Sequence, residues 1–348
     1  CGIMIGISIG KHGGGRLRLR RSDKMKKRQL TTAICALLGS AFLLSSCSGG
    51  SSTSFSSNWC ANTAINTVVE GTSETLTYDV ALDPDSAGND AYSVHYSNGT
   101  YTTSLSAEQK NGELLYRYHT ELNISVQYLF DGQYSEIKAD KVITMVYFMS
   151  TKVGLQPVSS SKEVESRSPA VLTPTSLETC YTDYHFTVET EYQDNCTKGT
   201  CVYTDLTKEE AAETSSDFSI GDDYSYIDNE QLLFAVRCMS LSSSQQIQSY
   251  NASINGVQTV RISASDLKSD EFEFAINGTN SKRAIEYYPA SVVISASNPG
   301  ATQTAWIAKT TSATNNVNRN VMLRLQTPIS YNLGTLVYTL KSANFTAA

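Results

Sequence analysis

Much that would announce a function is missing from this chain. Beyond residue 47 no apolar run reaches the roughly 18 residues that a membrane-crossing helix needs. Histidine is scarce, with four in all. The three beyond residue 47 are His95, His119 and His185, each alone among tyrosines in an alternating run. None has the HExxH or His-x-His spacing of a metal site. The G-x-S-x-G turn that exposes a hydrolase serine is absent. No catalytic residue, metal site or cofactor is therefore assigned. A hydrolase survives only as an alternative whose site would be assembled from distant residues. The helix period is also nearly absent from the second to the last hundred residues.

What is present begins with residues 25–47, MKKRQLTTAICALLGSAFLLSSC. Lys26, Lys27 and Arg28 form a positive start, and residues 33–44 an apolar run broken only by Gly39 and Ser40. The run is too short to span a bilayer and has the layout of a secretory signal. Its ending, Leu44-Ser45-Ser46-Cys47, resembles the lipobox of bacterial lipoproteins. The resemblance implies cleavage before Cys47, a diacylglycerol thioether on that cysteine, and a mature protein held outside the cytoplasm on the cell membrane or outer membrane. Two acyl chains anchor stably where one does not. The other reading is a plain signal peptide with Cys47 a free thiol.

Residues 1–24 start with Cys1 and carry Gly13-Gly14-Gly15 ahead of Arg16, Arg18, Arg20 and Arg21. They read as a basic nucleic-acid arm or as non-native upstream sequence before a start at Met25. Of 27 Lys/Arg and 34 Asp/Glu, nine and one precede Cys47, which leaves 18 against 33 and a net charge of −15. So acidic a surface repels phosphate backbones and anionic headgroups, which excludes nucleic acid as a partner of the mature part. Residues 47–58 are a serine/glycine tether, flexible and about 18 Å in mean span.

Alternation dominates from residue 59 on, in segments rich in Tyr, Thr, Val and Ile that suit half-buried pleated surfaces. In residues 74–82 (ETLTYDVAL), Leu76, Tyr78 and Val80 share one face. Asn98-Gly99, Asp131-Gly132, Asn255-Gly256 and Asn277-Gly278 sit between such runs, and pairs of this kind mark hairpin turns. The fold class expected is mainly β: an antiparallel meander, as an open half-barrel or a sandwich, with one or two short helices in the second half. A first half at 59–165 and a second at 179–346 are joined by residues 166–178, where Pro169 and Pro174 suggest a linker or a crossing. Helices are expected near 207–214, from a Thr207/Glu210 capping box, and near 229–239, where Leu232, Leu233, Val236 and Met239 share a face. Residues 217–228 form an acidic, aromatic loop.

Export makes disulfides available to the cysteines. Cys196 and Cys201 lie on opposite arms of a tight turn and are expected to pair. Cys180 is a candidate partner for Cys238 or Cys60, with Cys238 otherwise a buried small hydrophobe. Residues 83–90 (DPDSAGND) begin like a calcium loop, but Ala87 and Val94 stand where ligands are required, so a plain turn is expected.

The signal, the tether, the meander opening on Glu74-Thr75-Leu76-Thr77-Tyr78-Asp79-Val80 and the late helices resemble the bacterial half-barrel envelope proteins of the LolA and LolB kind. That resemblance implies a concave face for acyl chains under a helical lid. The functional expectation is a membrane-anchored, non-catalytic binding or carrier module for a lipid or other hydrophobic ligand. A structural or adhesive envelope protein, with an envelope protein as partner, is the first alternative.

Overall fold

A computed structural model describes residues 70–346 except 72, 87, 152–153, 194–195, 209, 221–225, 240, 242, 295–301 and 310–319. Cys47, the signal, the tether and Cys60 lie outside the described residues.

The alternating runs form one long antiparallel succession. Its strands are β1 (Ser73–Asp83), β2 (Ser93–Lys110), β3 (Glu113–Phe130), a two-residue β4 (Gln133–Tyr134), β5 (Lys138–Thr151), β6 (Gly154–Pro169), β7 (Tyr181–Gln193), β8 (Lys198–Asp205) and β9 (Ala212–Ser219). Neighbours pair in chain order, except that β3 bonds directly to β5 and short β4 caps its end. Along β3 the even residues from Tyr116 to Tyr128 are buried while the odd residues 117–127 between them are half-exposed, the period-2 pattern of a sheet with one wet face.

The second half continues with β10 (Tyr226–Asp228), helix α1 (Leu232–Cys238), β11 (Gln245–Asn251), β12 (Gly256–Ala264), β13 (Lys268–Ile276), β14 (Thr279–Ile294), β15 (Gln303–Ala308), β16 (Met322–Pro328) and β17 (Thr335–Thr346). Strand β17 pairs with β1 on one side and β16 on the other. From β16 the ladder runs through β15 and β14 to β13. Strand β13 returns to β17 in parallel at Ala275↔Ser342 and Ile276↔Ala343, which closes five strands into a barrel. Strand β14 also bonds β12, which leads to β11 and a parallel β10. The mainly β expectation holds, with a closed barrel joined to the meander. One hydrophobic cluster runs from Leu76 to Ala343, so both halves share a core.

Several local expectations need correction. Asn98-Gly99 is no hairpin turn: β2 runs straight through it, with the register shifting between Ser97 and Thr100. A Cβ on Gly99 would lie 2.2 Å from the Val80 carbonyl oxygen, so glycine there lets β1 and β2 approach. The turn falls instead at Asn111-Gly112, with φ of 54° and 85°. Among the described residues of 207–214 no helix forms, and residues 212–214 open β9 instead. The Thr207 amide and hydroxyl both donate to Asp205 Oδ1, at 3.0 and 2.5 Å, forming a turn that sends the chain back as β9. The expected 166–178 linker starts late, because Ser166–Pro169 are the last paired residues of β6 opposite Tyr181–Tyr184 of β7. Pro169 sits at the strand's final position, where a missing N–H costs no ladder bond.

Helix α1 answers the expectation near 229–239, preceded by a single 3-10 turn at Asn229–Gln231. Asp228 caps that turn by accepting the Glu230 amide at 2.7 Å. The expected apolar face became a buried circumference, since all seven α1 residues are buried, Arg237 among them. Two turns of helix are not stable alone, so tertiary packing sustains it. Phe234 lies 5.2 Å from the Tyr118 ring and 5.5 Å from Phe148, which seats the helix on β3 and β5.

Candidate functional site

The polar groups under α1 and its lead-in form the densest chemistry among the described residues. Arg237 lies in the last turn of the helix and faces Glu74 of β1, with Nη1 to Oε1 at 2.7 Å and Nη2 to Oε2 at 2.8 Å. Both side chains are 3% exposed. Arg237 Nε donates to the Asn320 carbonyl at 3.1 Å, and Asn320 Nδ2 donates back to the Arg237 carbonyl at 3.1 Å. The carboxylate beside it holds the guanidinium charged against the pull of burial. Tyr78, fully buried beside the pair, has its hydroxyl pKa driven well up by desolvation, and that hydroxyl meets no partner.

A second pair lies nearby. Lys162 Nζ of β6 meets Glu230 Oε1 at 2.9 Å, with side chains 9% and 10% exposed. Both line a cavity of about 10 Å³ together with Tyr101, Thr120, Thr144 and Tyr338. That is the lower limit for one water molecule. The Thr120 and Thr144 hydroxyls bond each other at 2.8 Å, while the Tyr338 hydroxyl is unpartnered. Beyond Glu230, Asp228 Oδ2 accepts the Tyr192 hydroxyl at 2.5 Å. Burial, then the neighbouring Glu230, pushes the Asp228 pKa up to about 6.

These residues escaped the sequence reading, although two carried a signal. Glu74 is in phase with Leu76, Tyr78 and Val80 on the buried face of β1. Arg237 interrupts an otherwise apolar LLFAVRCM stretch. A charge in phase with a core is a charge that needs a partner.

The predicted groups are dispersed. His95, 5.9 Å from the Tyr134 ring, is on β2, His119 on β3 and His185 on β7. His119 has its pKa lowered by burial and then by Arg117. Among the described residues no group of three His, Cys, Asp or Glu is arranged to hold a metal. Asp83, first residue of the calcium-like stretch, accepts the Asp85 amide at 3.2 Å and so shapes its own turn.

No disulfide joins Cys180, Cys196, Cys201 and Cys238, all of which are buried, so neither Cys196–Cys201 nor Cys180–Cys238 forms; Cys60, the other candidate partner of Cys180, lies outside the described residues. In the β7–β8 register Cys201 stands opposite Thr190, while Cys196 lies beyond Gln193↔Lys198 with φ of 64°, so the two do not face each other. Cys201 Sγ points to the Ala252 carbonyl, 3.7 Å away, and Cys196 packs with Tyr192, Phe218 and Tyr250. Cys238 donates into its own helix, at 3.2 Å from the Phe234 carbonyl. Burial pushes the Cys180 and Cys196 pKa values up to about 11 and about 12, the environment of inert thiols.

No family model matches the chain, and no curated protein matches it. Among solved structures, the chain is similar to a β-barrel-like protein of the domain of unknown function DUF1849 from Brucella abortus. The identity is 9%, the TM-score 0.47, and the match covers 80% of this chain and all of that one.

Proposed function

We propose that this protein is an extracytoplasmic module, held to a membrane through lipid on Cys47, that binds with its outer surface and performs no catalysis. The anchor rests on the signal and its Leu44-Ser45-Ser46-Cys47 ending. The outward mode of action rests on one observation: the face expected to be a groove is occupied by α1, every residue of which is buried. The space beside the Lys162–Glu230 pair is about 10 Å³, whereas ligand pockets run to hundreds. A partner protein in the envelope fits this body better than a ligand held inside it.

The test uses the purified mature protein and an environment-sensitive naphthylamine dye. No saturable binding is expected below the melting temperature. Saturable binding competed by fatty acid would sink the outward reading.

A second reading keeps the hydrophobic ligand. It is favoured by the Arg237–Glu74 pair, because buried ion pairs fix arrangement more than they stabilise. In that reading α1 vacates the concavity and an acyl chain takes its place. Glu74→Gln would then increase dye uptake without unfolding the sheet.

A further inference from the structure

The end of the sheet opposite the chain's entry into β1 has a character of its own. Four connections belong to it: residues 84–92, 131–137, 170–180 and 329–334. Three are stitched together. Asn89 Nδ2 donates to the Leu172 and Tyr331 carbonyls at 3.2 and 2.9 Å. The Tyr92 hydroxyl donates to the Val171 carbonyl at 2.6 Å, and the Tyr331 hydroxyl to the Ala170 carbonyl at 2.9 Å. The 131–137 connection is tied to the end of β6, where Arg167 Nη2 meets Glu136 Oε1 at 3.3 Å. Tyr331 and Asn332 both hold φ of 60°. Asparagine tolerates that left-handed backbone but tyrosine does not, so the contacts around Tyr331 fix a conformation the chain would not choose.

This scaffold holds apolar side chains out to solvent. Ile137 is 65% exposed, Leu172 58%, Tyr134 57% and Val171 38%. Four of the seven most exposed large apolar residues among the described residues thus lie on two of these connections, 131–137 and 170–180. The charge carried by the connections themselves is negative, with Lys138 and the nearly buried Arg167 at the adjoining strand ends committed to Asp183 and Glu136. Asp85, Asp90, Asp131, Glu136 and Glu178 are exposed there, and the four connections contain no Lys or Arg at all.

We propose that this acidic rim with apolar tips is a docking surface for a cationic, apolar-studded segment of another protein. The inference rests on the outward mode of action and names the surface it uses. Complementary charge steers and selects such a partner, while the apolar tips slow its release. A second copy would bring the same negative rim, and anionic lipid the same repulsion. The rim also lies one strand length, about 36 Å for the 11 residues of β1, from the first residue of that strand, Ser73.

The test uses the full mature protein and two labelled peptides of equal length and charge, one alternating Lys and Leu, the other Lys and Ser. The Lys/Leu peptide is expected to bind about tenfold more tightly, and binding to weaken as salt rises. Leu172→Ser combined with Ile137→Ser should lose about that tenfold at an unchanged melting temperature. Asp90→Asn combined with Glu136→Gln should flatten the salt dependence. Equal binding of the two peptides, or tip variants that bind like the wild type, would overturn the proposal. So would preferential retention on phosphatidylglycerol over phosphatidylcholine vesicles, or self-association that the tip variants abolish. Dye uptake with the peptide results intact sinks only the outward reading of the interior. Peptide failure with dye excluded sinks only the rim.

Discussion

Strand β1 carries the same kind of ion pair on each of its faces. Inward, Glu74 meets Arg237 with both side chains 3% exposed. Outward, Asp79 meets Lys341 at 2.9 Å with side chains 58% and 61% exposed. The bond lengths barely differ, although the inner guanidinium grips both carboxylate oxygens and the outer ammonium only one. Exposure to water separates the pairs further. The outer pair gains little over its hydrated partners, whereas either member of the inner pair, left alone, is a charge stranded in apolar surroundings. The Lys162–Glu230 pair is intermediate at 9% and 10% exposed. The three cation–carboxylate pairs thus form a series graded by burial, with the most buried one also the two-pronged one.

The largest effect in that series belongs to Glu74→Ala, expected to destabilise by about 3–5 kcal/mol in chemical denaturation. Replacing both partners, as Glu74→Gln with Arg237→Met, should recover most of the loss, because no charge is then orphaned. A double variant as unstable as the single one would show that packing, not charge, dominates. Next comes Lys162→Met, expected to cost about 1–3 kcal/mol through the carboxylate it abandons.

Asp228 tests burial without a salt bridge. Its pKa is raised from 3.8 to about 6, so the folded state holds its proton over a range where the unfolded state has lost it. Stability must therefore fall as pH rises from about 4 to 6 and level off above, by at most about 3 kcal/mol. Asp228→Asn should flatten that segment of the stability–pH curve, and an unchanged slope would place the titration elsewhere. Smallest of all, Lys341→Ala should shift stability by less than about 1 kcal/mol, and the shift should vanish in high salt. A larger effect there would break the comparison.

The parts of the fold that were legible in sequence are those governed by local chemistry. Period-2 burial along β3 and the left-handed turns at Asn277-Gly278 and Asp131-Gly132 follow from side-chain alternation and from glycine's freedom at positive φ. Identical local chemistry misled at Asn98-Gly99, where the close approach of Val80 turned a hairpin signal into an irregularity within β2. The Thr207 box failed for a related reason: Asp205 lies two residues upstream and its carboxylate took both donors. The free thiols show that facing positions in a hairpin are set by register, which the spacing of Cys196 and Cys201 does not contain. The candidate site was half legible. The parity of Glu74 and the position of Arg237 mark buried charges, but that the two meet across 163 positions is a property of the closed fold. Barrel closure itself rests on two residue pairs between β13 and β17 and leaves no pattern in either strand.

A closed interior requires α1 to be permanent core and not a removable lid. Native-state hydrogen exchange on the full mature chain measures this directly, by following the Val236, Arg237 and Cys238 amides at low denaturant. They are expected to exchange only through global unfolding, with the same free energy and denaturant dependence as the buried centre of β3. Exchange through a smaller opening, insensitive to denaturant and several kcal/mol below the global value, would contradict it.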